Sequence, residues 1–594
     1  MQIKNKIKDT VKSCRVYDVL RKTKAKVQKC KSRMFPKGMD AIRLSYAGYY
    51  EKCPVFDNII LYEAYAGRGM VCSPYAIFKM FVRRDEFKDY THVWVLEDEA
   101  KVEEARKEWK QENVVFVVRD SELYQKYLCK AGVLINNLSF PQYFTKKPEQ
   151  LYINTWHGIP LKTLGFDIPD GRITGLNTIR NFLSVDVFLS PNRFMTDIFK
   201  NAFRLDGVFE GGIMESGMPR NDNLFHTDKN LIINKLKSYG VQIDGTKKII
   251  MYAPTWKGEK YSNPDIGTEL YFQLIDKIEQ MVDTDKYQIL VKPHQIVYKH
   301  IVESGKVLTD KFIPADIDAN EILSIVDVLI SDYSSIYFDF LASSRPVIYY
   351  IPDLEDYLEN RGLYFGIDKL PGPIAKNLDE LGEMCADIEK AVRPYKEKYM
   401  IEQKWACSND DGNVCDRVID KIIINRDYSG LVKCDITTKK RILAYSGNPR
   451  NDSERERVEE FIKKLDFDKY DMTLIVPHIA TENVLNWIRN LDSRVRVLRR
   501  IGKEAVEKEY YRYSDYIHGH DISKESLSKD NSLSKDNKLS LDKRNIINKI
   551  CVTEMLRTVG QTHYDYVYDF SDKPIYYKNL FMSINREGYK LPFK

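Results

Sequence analysis

Two consecutive Rossmann-like α/β units facing each other across a cleft, followed by a third and smaller α/β unit, are the architecture the sequence predicts. Three observations predict it. Short apolar runs alternate with helical stretches from about residue 55, and the pattern restarts near residue 247 and again near 441. The strand candidates are nearly continuous apolar runs rather than alternating ones, the mark of parallel strands covered on both faces. Finally, His157, Thr255, His294 and Ser334 all fall directly after candidate strands, where ligands of open parallel sheets bind.

The first series reads "NIILYEA" (58–64), "HVWVLE" (92–97), "VVFVV" (114–118), "GVLINN" (132–137), "QLYINT" (150–155) and "DVFLS" (186–190). Helical material separates them. In "CSPYAIFKMF", Ser73 is placed to cap a helix and Pro74 to occupy its first turn. The second series reads "KKIIMYAPTW", "YQILVKPH", "KFIPA", "DVLISDYSS" and "RPVIYYIP". A polar stretch, 425–440, reads as a linker. Beyond it "RILAYSG", "YDMTLIVP", "VRVLRR" and "YDYVYDFS" form the third series. Residues 523–544 interrupt that series with a tandem SLSKDN repeat, a polar composition that cannot bury enough surface to order itself. The expected domains are 39–230, 231–428 and 440–594.

Composition bounds the function. The net charge of +6 conceals a basic segment: residues 1–38 carry 13 Lys or Arg against Asp9 and Asp18, leaving −5 for the remainder. Ile3, Ile7, Val11 and Cys14 form an apolar stripe at helical spacing there. A basic amphipathic helix suits an anionic membrane surface; the alternative is a solvated or nucleic-acid-binding arm, and the stripe favours the membrane. No apolar run is long enough to span a bilayer, and no secretory leader is expected. Ten scattered cysteines without metal-binding spacing suit reduced thiols in the cytosol.

Four clusters carry chemistry. In "TWHGIPLK" (155–162), His157 titrates near neutrality and can accept a proton from a hydroxyl, while Gly158 lets a substrate approach the backbone; a packing role is the alternative. In "VKPHQ" (291–295), Pro293 fixes a turn on which Lys292 and His294 can neutralise anionic oxygens; a solvent-facing basic loop is the alternative. In "SDYSSIYFDF" (331–340), Ser334 and Ser335 open a helix whose free N–H groups suit a phosphate, with Asp339 about a turn further on; plain capping is the alternative. In "SGMPRND" (216–222), Arg220 can hold a phosphate bidentately; an interdomain salt bridge to Asp222 or another acid is the alternative. There is no P-loop and no dinucleotide fingerprint. No acidic cluster demands a metal, so no cofactor is expected.

"QLYINTWHGIPLKTLGFDI", "SGMPRND", "YAPTW", "VKPH" and "ISDYSSIYFDFL…RPVIYY" together resemble the CDP-glycerol glycerophosphotransferase family of teichoic acid primases and polymerases. "LYEAYAGRGMVCSPYAIFKMF" and "DDGNVCDRVID" extend the resemblance over roughly residues 55–425. It implies a GT-B fold and transfer of a polyol phosphate from CDP-glycerol or CDP-ribitol, with glycerol the first choice. The implied acceptor is a hydroxyl on an undecaprenyl-linked or polymeric chain at the cytoplasmic membrane face, and CMP leaves. By the same resemblance His157 is the general base and His294 touches the donor pyrophosphate. Ser334 and Ser335 bind phosphate, Asp339 holds the donor's polyol or ribose, and Arg220, Thr255 and Lys292 support. Ile159 and Ala64 depart from common family residues without removing a catalytic group. The third unit resembles the first half of a glycosyltransferase without its nucleotide-binding half, so a non-catalytic module is expected. The competing readings are a GT-B nucleotide-sugar glycosyltransferase and a membrane-associated, polymer-binding adaptor without activity.

Overall fold

The computed structural model describes residues 37–584, apart from 169, 176, 256, 261–262, 266–267, 295–296, 299–300, 302–309, 355–361, 478–480, 501–503, 505, 508–510, 521, 523–540 and 574. The basic segment, except its last two residues, and most of the SLSKDN insertion lie outside the described residues. Residues 541–544 of that insertion begin the helix Leu541–Val559.

The first lobe is built on β1 (Phe56–Glu63), β2 (Thr91–Leu96), β3 (Val114–Val118), β4 (Ala131–Asn136), β5 (Leu151–Asn154), β6 (Val187–Ser190) and β7 (Gly212–Glu215). These are parallel in the order β7-β6-β5-β4-β1-β2-β3. The period of two divides each strand between two cores. Ile60, Tyr62, Trp94, Ile135 and Ile153 face one core, which also takes in Phe78 of the helix Cys72–Arg83. Leu61, Val93, Leu134, Tyr152 and Phe188 face the other.

The second lobe carries β8 (Lys248–Ala253), the hairpin strands β9 (Lys257–Lys260) and β10 (Asn263–Asp265), β11 (Tyr287–Val291), β12 (Val328–Ser331), β13 (Val347–Tyr350) and β14 (Ile374–Ala375). Its main sheet runs β11-β8-β12-β13-β14, all parallel. "KFIPA" was expected to be a strand; it contributes a single bridge, Val291 to Phe312, because Pro314 ends any run there. The chain then returns. Val414, Cys415, Val418, Ile419, Ile422 and Ile423 pack into the first lobe's core. Within the stretch read as a linker, β15 (Val432–Lys433) pairs antiparallel with β7.

The third unit holds β16 (Lys440–Tyr445), β17 (Tyr470–Pro477), β18 (Arg496–Arg500) and β19 (Tyr566–Asp569), parallel in the order β18-β17-β16-β19. One face is covered by its own helices through Ile442, Met472, Leu474, Val458 and Ile488. The other face, Leu443, Ile475, Leu498 and Val567, merges with the first lobe's core together with Met555, Val559, Tyr577 and Phe581. Each such fully buried side chain is worth roughly 1.5–3 kcal/mol, so this unit and the first lobe share one hydrophobic interior.

One helix start differs from expectation. The helix Cys72–Arg83 begins before Ser73, whose hydroxyl is buried without a partner. Its cap comes from the opposite lobe: Asp318 Oδ2 accepts from the Cys72 backbone N–H at 2.6 Å. Asp318 Oδ1 meanwhile accepts from Asn320 and Glu321, capping its own helix Ala319–Ile325.

Candidate active site

Each main sheet reverses its strand order once, between β1 and β4 in the first lobe and between β8 and β12 in the second. The loops leaving such adjacent strands diverge and open a crevice. In both lobes that crevice is stitched by a side chain. Asn137 Oδ1, after β4, accepts from the Tyr65 backbone N–H, after β1, at 2.8 Å. Asp332, after β12, accepts from the Thr255 N–H at 2.8 and 2.9 Å and from the Thr255 hydroxyl at 2.8 Å. The two crevices face each other across a cleft of about 590 Å³ whose lining includes His157, Arg220, Thr255, His294, Ser334, Ser335 and Asp339. Lys292 lines the adjoining recess with His294, Ser334 and Cys72.

His157 follows β5 at a sharp turn, with Trp156 at φ 50° and Gly158 at φ 130°. Its Nδ1 lies 3.0 Å from the Asn137 carbonyl oxygen. A carbonyl only accepts, so Nδ1 carries the proton and Nε2 holds the lone pair. Trp156 and Tyr65 flank the ring at 4.1 and 5.8 Å between centroids. Burial pushes the His157 pKa down to about 4, the Asn137 bond resists, and the Arg220 charge adds to the fall. The imidazole is therefore neutral at pH 7, in its proton-accepting form. Gly158 has a specific duty: a Cβ there would stand 2.6 Å from the Arg220 guanidinium. The following residues cross to the second lobe. Ile159 and Leu161 enter its core, and Thr163 N–H donates to the Gly362 carbonyl at 3.0 Å.

Arg220 and Asp339 were each expected to hold substrate. The structure places them against each other, Nη2 to Oδ2 at 2.7 Å and Nε to Oδ1 at 3.3 Å, both buried. This is the interdomain salt bridge that the sequence left open, with Asp339 rather than Asp222 as the acid. Asp222 instead accepts from the Val414 and Cys415 N–H groups. Burial works against the Arg220 charge, but the Asp339 carboxylate keeps the guanidinium protonated. The third donor group, Nη1, reaches Cys72 Sγ at 3.3 Å.

Lys292 donates to the Pro314 carbonyl at 2.9 Å, and burial pulls its pKa down to about 8. His294 is pulled down to about 4, first by burial and then by the charges of Lys162, Arg68 and Lys292. That convergence of cations is the electrostatic signature of an anion pocket. Ser335 precedes the helix Ile336–Leu341 without a side-chain capping bond, so capping does not account for it.

Sequence reasoning did not single out Tyr65, Arg68, Asn137, Lys162, Asp318 or Asp332. Arg68 and Lys162 had a local signal, each a cation in a glycine- or proline-marked turn after a strand. Asn137 and Asp332 act through contacts visible only in three dimensions.

Two facing Rossmann-like lobes with a basic, hydroxyl-lined cleft at their strand ends define a transferase of the GT-B type. Residues 48–424 match the family model described as CDP-glycerol:poly(glycerophosphate) glycerophosphotransferase, and the chain belongs to that family. It is 30% identical over 384 residues to the teichoic acid poly(glycerol phosphate) polymerase of Bacillus spizizenii, covering 62% of this chain and 93% of that one. It is 32% identical to the teichoic acid glycerol-phosphate transferase of Staphylococcus aureus, covering 61% and 92%. Among solved structures it is similar to the wall teichoic acid polymerase TagF, at 26% identity and a TM-score of 0.54, covering 68% of this chain and 98% of that one. The third unit lies outside the residues matched by the family model.

Proposed function

We propose that the protein transfers a polyol phosphate, glycerol phosphate foremost, from a CDP-linked donor to a hydroxyl of a lipid-linked or polymeric acceptor, releasing CMP, in teichoic acid or related surface-polymer synthesis. The acceptor oxygen attacks the phosphorus that bears the polyol. The bond from that phosphorus to CMP breaks, and the hydroxyl proton passes to His157 Nε2. His294, Arg68, Lys162, Lys292 and the hydroxyls of Ser334 and Ser335 meet the diphosphate and the charge that builds on CMP, with Thr255 held in support by Asp332. Arg220 and Asp339, joined at the floor of the cleft, fix the two lobes at the spacing that transfer requires.

The observation that carries the proposal is the Nδ1–Asn137 bond, which leaves Nε2 as the acceptor in a cleft shared with His294 and the serines. A bound diphosphate raises the pKa of His157 from its low value toward the working pH, which suits a general base. No helix among the described residues is long and apolar enough to cross a membrane. Attachment at the cytoplasmic face is assigned to the basic segment 1–38 on its charge and its apolar stripe. His157→Ala should lower CMP release from CDP-glycerol by roughly 10²–10⁴-fold while donor binding by calorimetry stays within about twofold. Normal turnover in that variant would reject the assignment. UDP-sugars, assayed in parallel for UDP release, distinguish the glycosyltransferase reading.

A further inference from the structure

The first part of the connection from β4 to β5, residues 137–145, carries the carbonyl that orients His157, and its Leu138 lines the cleft. Such a loop would ordinarily be soft. Here its carbonyl oxygens are taken up one after another by side chains. Asn154 Nδ2 donates to Leu138 at 2.7 Å, and Asn177 Nδ2 to Phe140 at 2.9 Å. Arg180 donates to Pro141 at 3.1 Å and to Phe144 at 3.0 Å. Tyr46 donates to Thr145 at 3.0 Å. A further donor comes from the third unit: Arg557 Nη1 donates to Gln142 at 3.0 Å.

Arg180 is itself unusual. It is buried, and its bonding partners are carbonyls and the Asn177 amide rather than a carboxylate. One of those carbonyls is that of Arg557, at 2.9 Å, in the last turn of the helix Leu541–Val559. A helix C-terminus carries partial negative charge and favours a cation beside it. The third unit therefore supplies a helix end that favours the buried guanidinium and, in Glu554, a carboxylate that partly offsets both its burial and the nearby Arg557 charge. Arg557 is in turn fixed by Glu554, with Nη2 to Oε1 at 2.8 Å and Nε to Oε2 at 2.8 Å.

We propose that the third unit is a brace for the acceptor side of the cleft, in which Arg557 and the end of its helix, acting through Arg180, position the loop 137–145 and thereby the His157 ring. This gives the unit a part in the reaction with no substrate of its own, and it rests on the reading of His157 as the base. Arg557 and Arg180 are positioning residues; neither needs to touch the substrate.

The test uses the full chain with Arg557→Lys and, separately, Arg180→Lys, each keeping a cation but losing the planar fork. Three readouts are compared: transfer at saturating CDP-glycerol, KM for that donor, and the tautomer of His157 by ¹⁵N NMR. Arg457→Ala, at the far edge of the third unit where Arg457 pairs with Asp572, is the control and should leave all three unchanged. The brace predicts that turnover per folded molecule falls by about tenfold or more, that the donor KM moves less than about twofold, and that the ring becomes a mixture of tautomers. If both lysine variants keep turnover and the Nδ1–H tautomer, the proposal is overturned. A lowered melting temperature with full turnover per folded molecule overturns it too, since that marks simple packing. A ring that loses its tautomer while transfer is unchanged supports the brace and removes His157 as the base. If Arg557→Lys fails to fold, Arg180→Lys carries the same test from within the first lobe.

Discussion

The first lobe has two neighbours and meets them by opposite physics. Toward the second lobe it offers mostly charge: Arg220 to Asp339, Lys79 to Glu321 at 2.5 Å, Lys101 to Asp316 at 3.2 Å, and the Cys72 N–H to Asp318. Apolar contacts join them there: Ile159 and Leu161 enter the second lobe's core, Phe194 packs on Tyr364, Phe365 and Trp405, and the returning segment from Val414 to Ile423 enters the first lobe's core. Toward the third unit it offers an uninterrupted core, from Leu134 and Phe182 to Met555, Val567 and Phe581. Around that core, arginines reach backbone carbonyls: Arg496 to Arg204 and Asp206, and Arg172 to Leu491 and Asp492. Exposed pairs such as Lys101 to Asp316 can part and re-form in water at modest cost; the buried Arg220 to Asp339 pair parts at a higher cost, and a shared hydrophobic interior does not part without unfolding. The first boundary suits a cleft that admits substrate, and the second suits a permanent joint.

The comparison breaks hardest at the apolar joint. Met555→Asp buries an unpaired carboxylate among Phe and Val side chains and should remove the cooperative unfolding transition, or lower stability by more than about 4 kcal/mol. Denaturant titration and soluble yield read this. Next comes Arg220→Ala, which leaves Asp339 buried without its partner, at a cost of about 3–5 kcal/mol. The double change Arg220→Met with Asp339→Leu should recover most of that stability without recovering transfer. A double variant no more stable than the single one would contradict the pairing as the source of the loss.

Acid gives a smaller and graded effect. His157 and His294 have folded values near 4 against an unfolded value near 6.5. The unfolded chain thus binds protons first, and stability falls as the pH drops from about 6.5 to 4. In the free protein kcat/KM should fall on its acid side as His157 takes a proton near pH 4. His294→Gln should flatten its share of the stability loss, which thermal melts across that range would detect. The smallest change is expected at the rim. Lys101→Ala removes a partly exposed pair and should cost about 0.2–1 kcal/mol, and less at high salt.

What the sequence revealed follows the same division. The strands were legible because full burial writes a continuous apolar run, as in "VVFVV" and "YDMTLIVP". The site was legible because parallel sheets deliver loops to one edge, so His157, Thr255, His294 and Ser334 could be placed together from strand ends alone. β15 was not legible: two residues pairing with an edge strand leave no pattern. Nor was the union of Arg220 with Asp339, whose positions lie far apart in the chain. Leu443, Ile475 and Leu498 signalled that the second face of the third sheet is covered, but periodicity cannot say by what.

Asp318 lends one carboxylate to two helices that belong to different bodies. If those bodies separate, Asn320 and Glu321 keep their acceptor, while the Cys72 backbone amide and the Asn223 side-chain amide lose theirs. The Cys72 backbone proton is thus a native gauge of aperture: its rate of exchange into heavy water counts how often the mouth gapes, with no label attached and no reacting group disturbed.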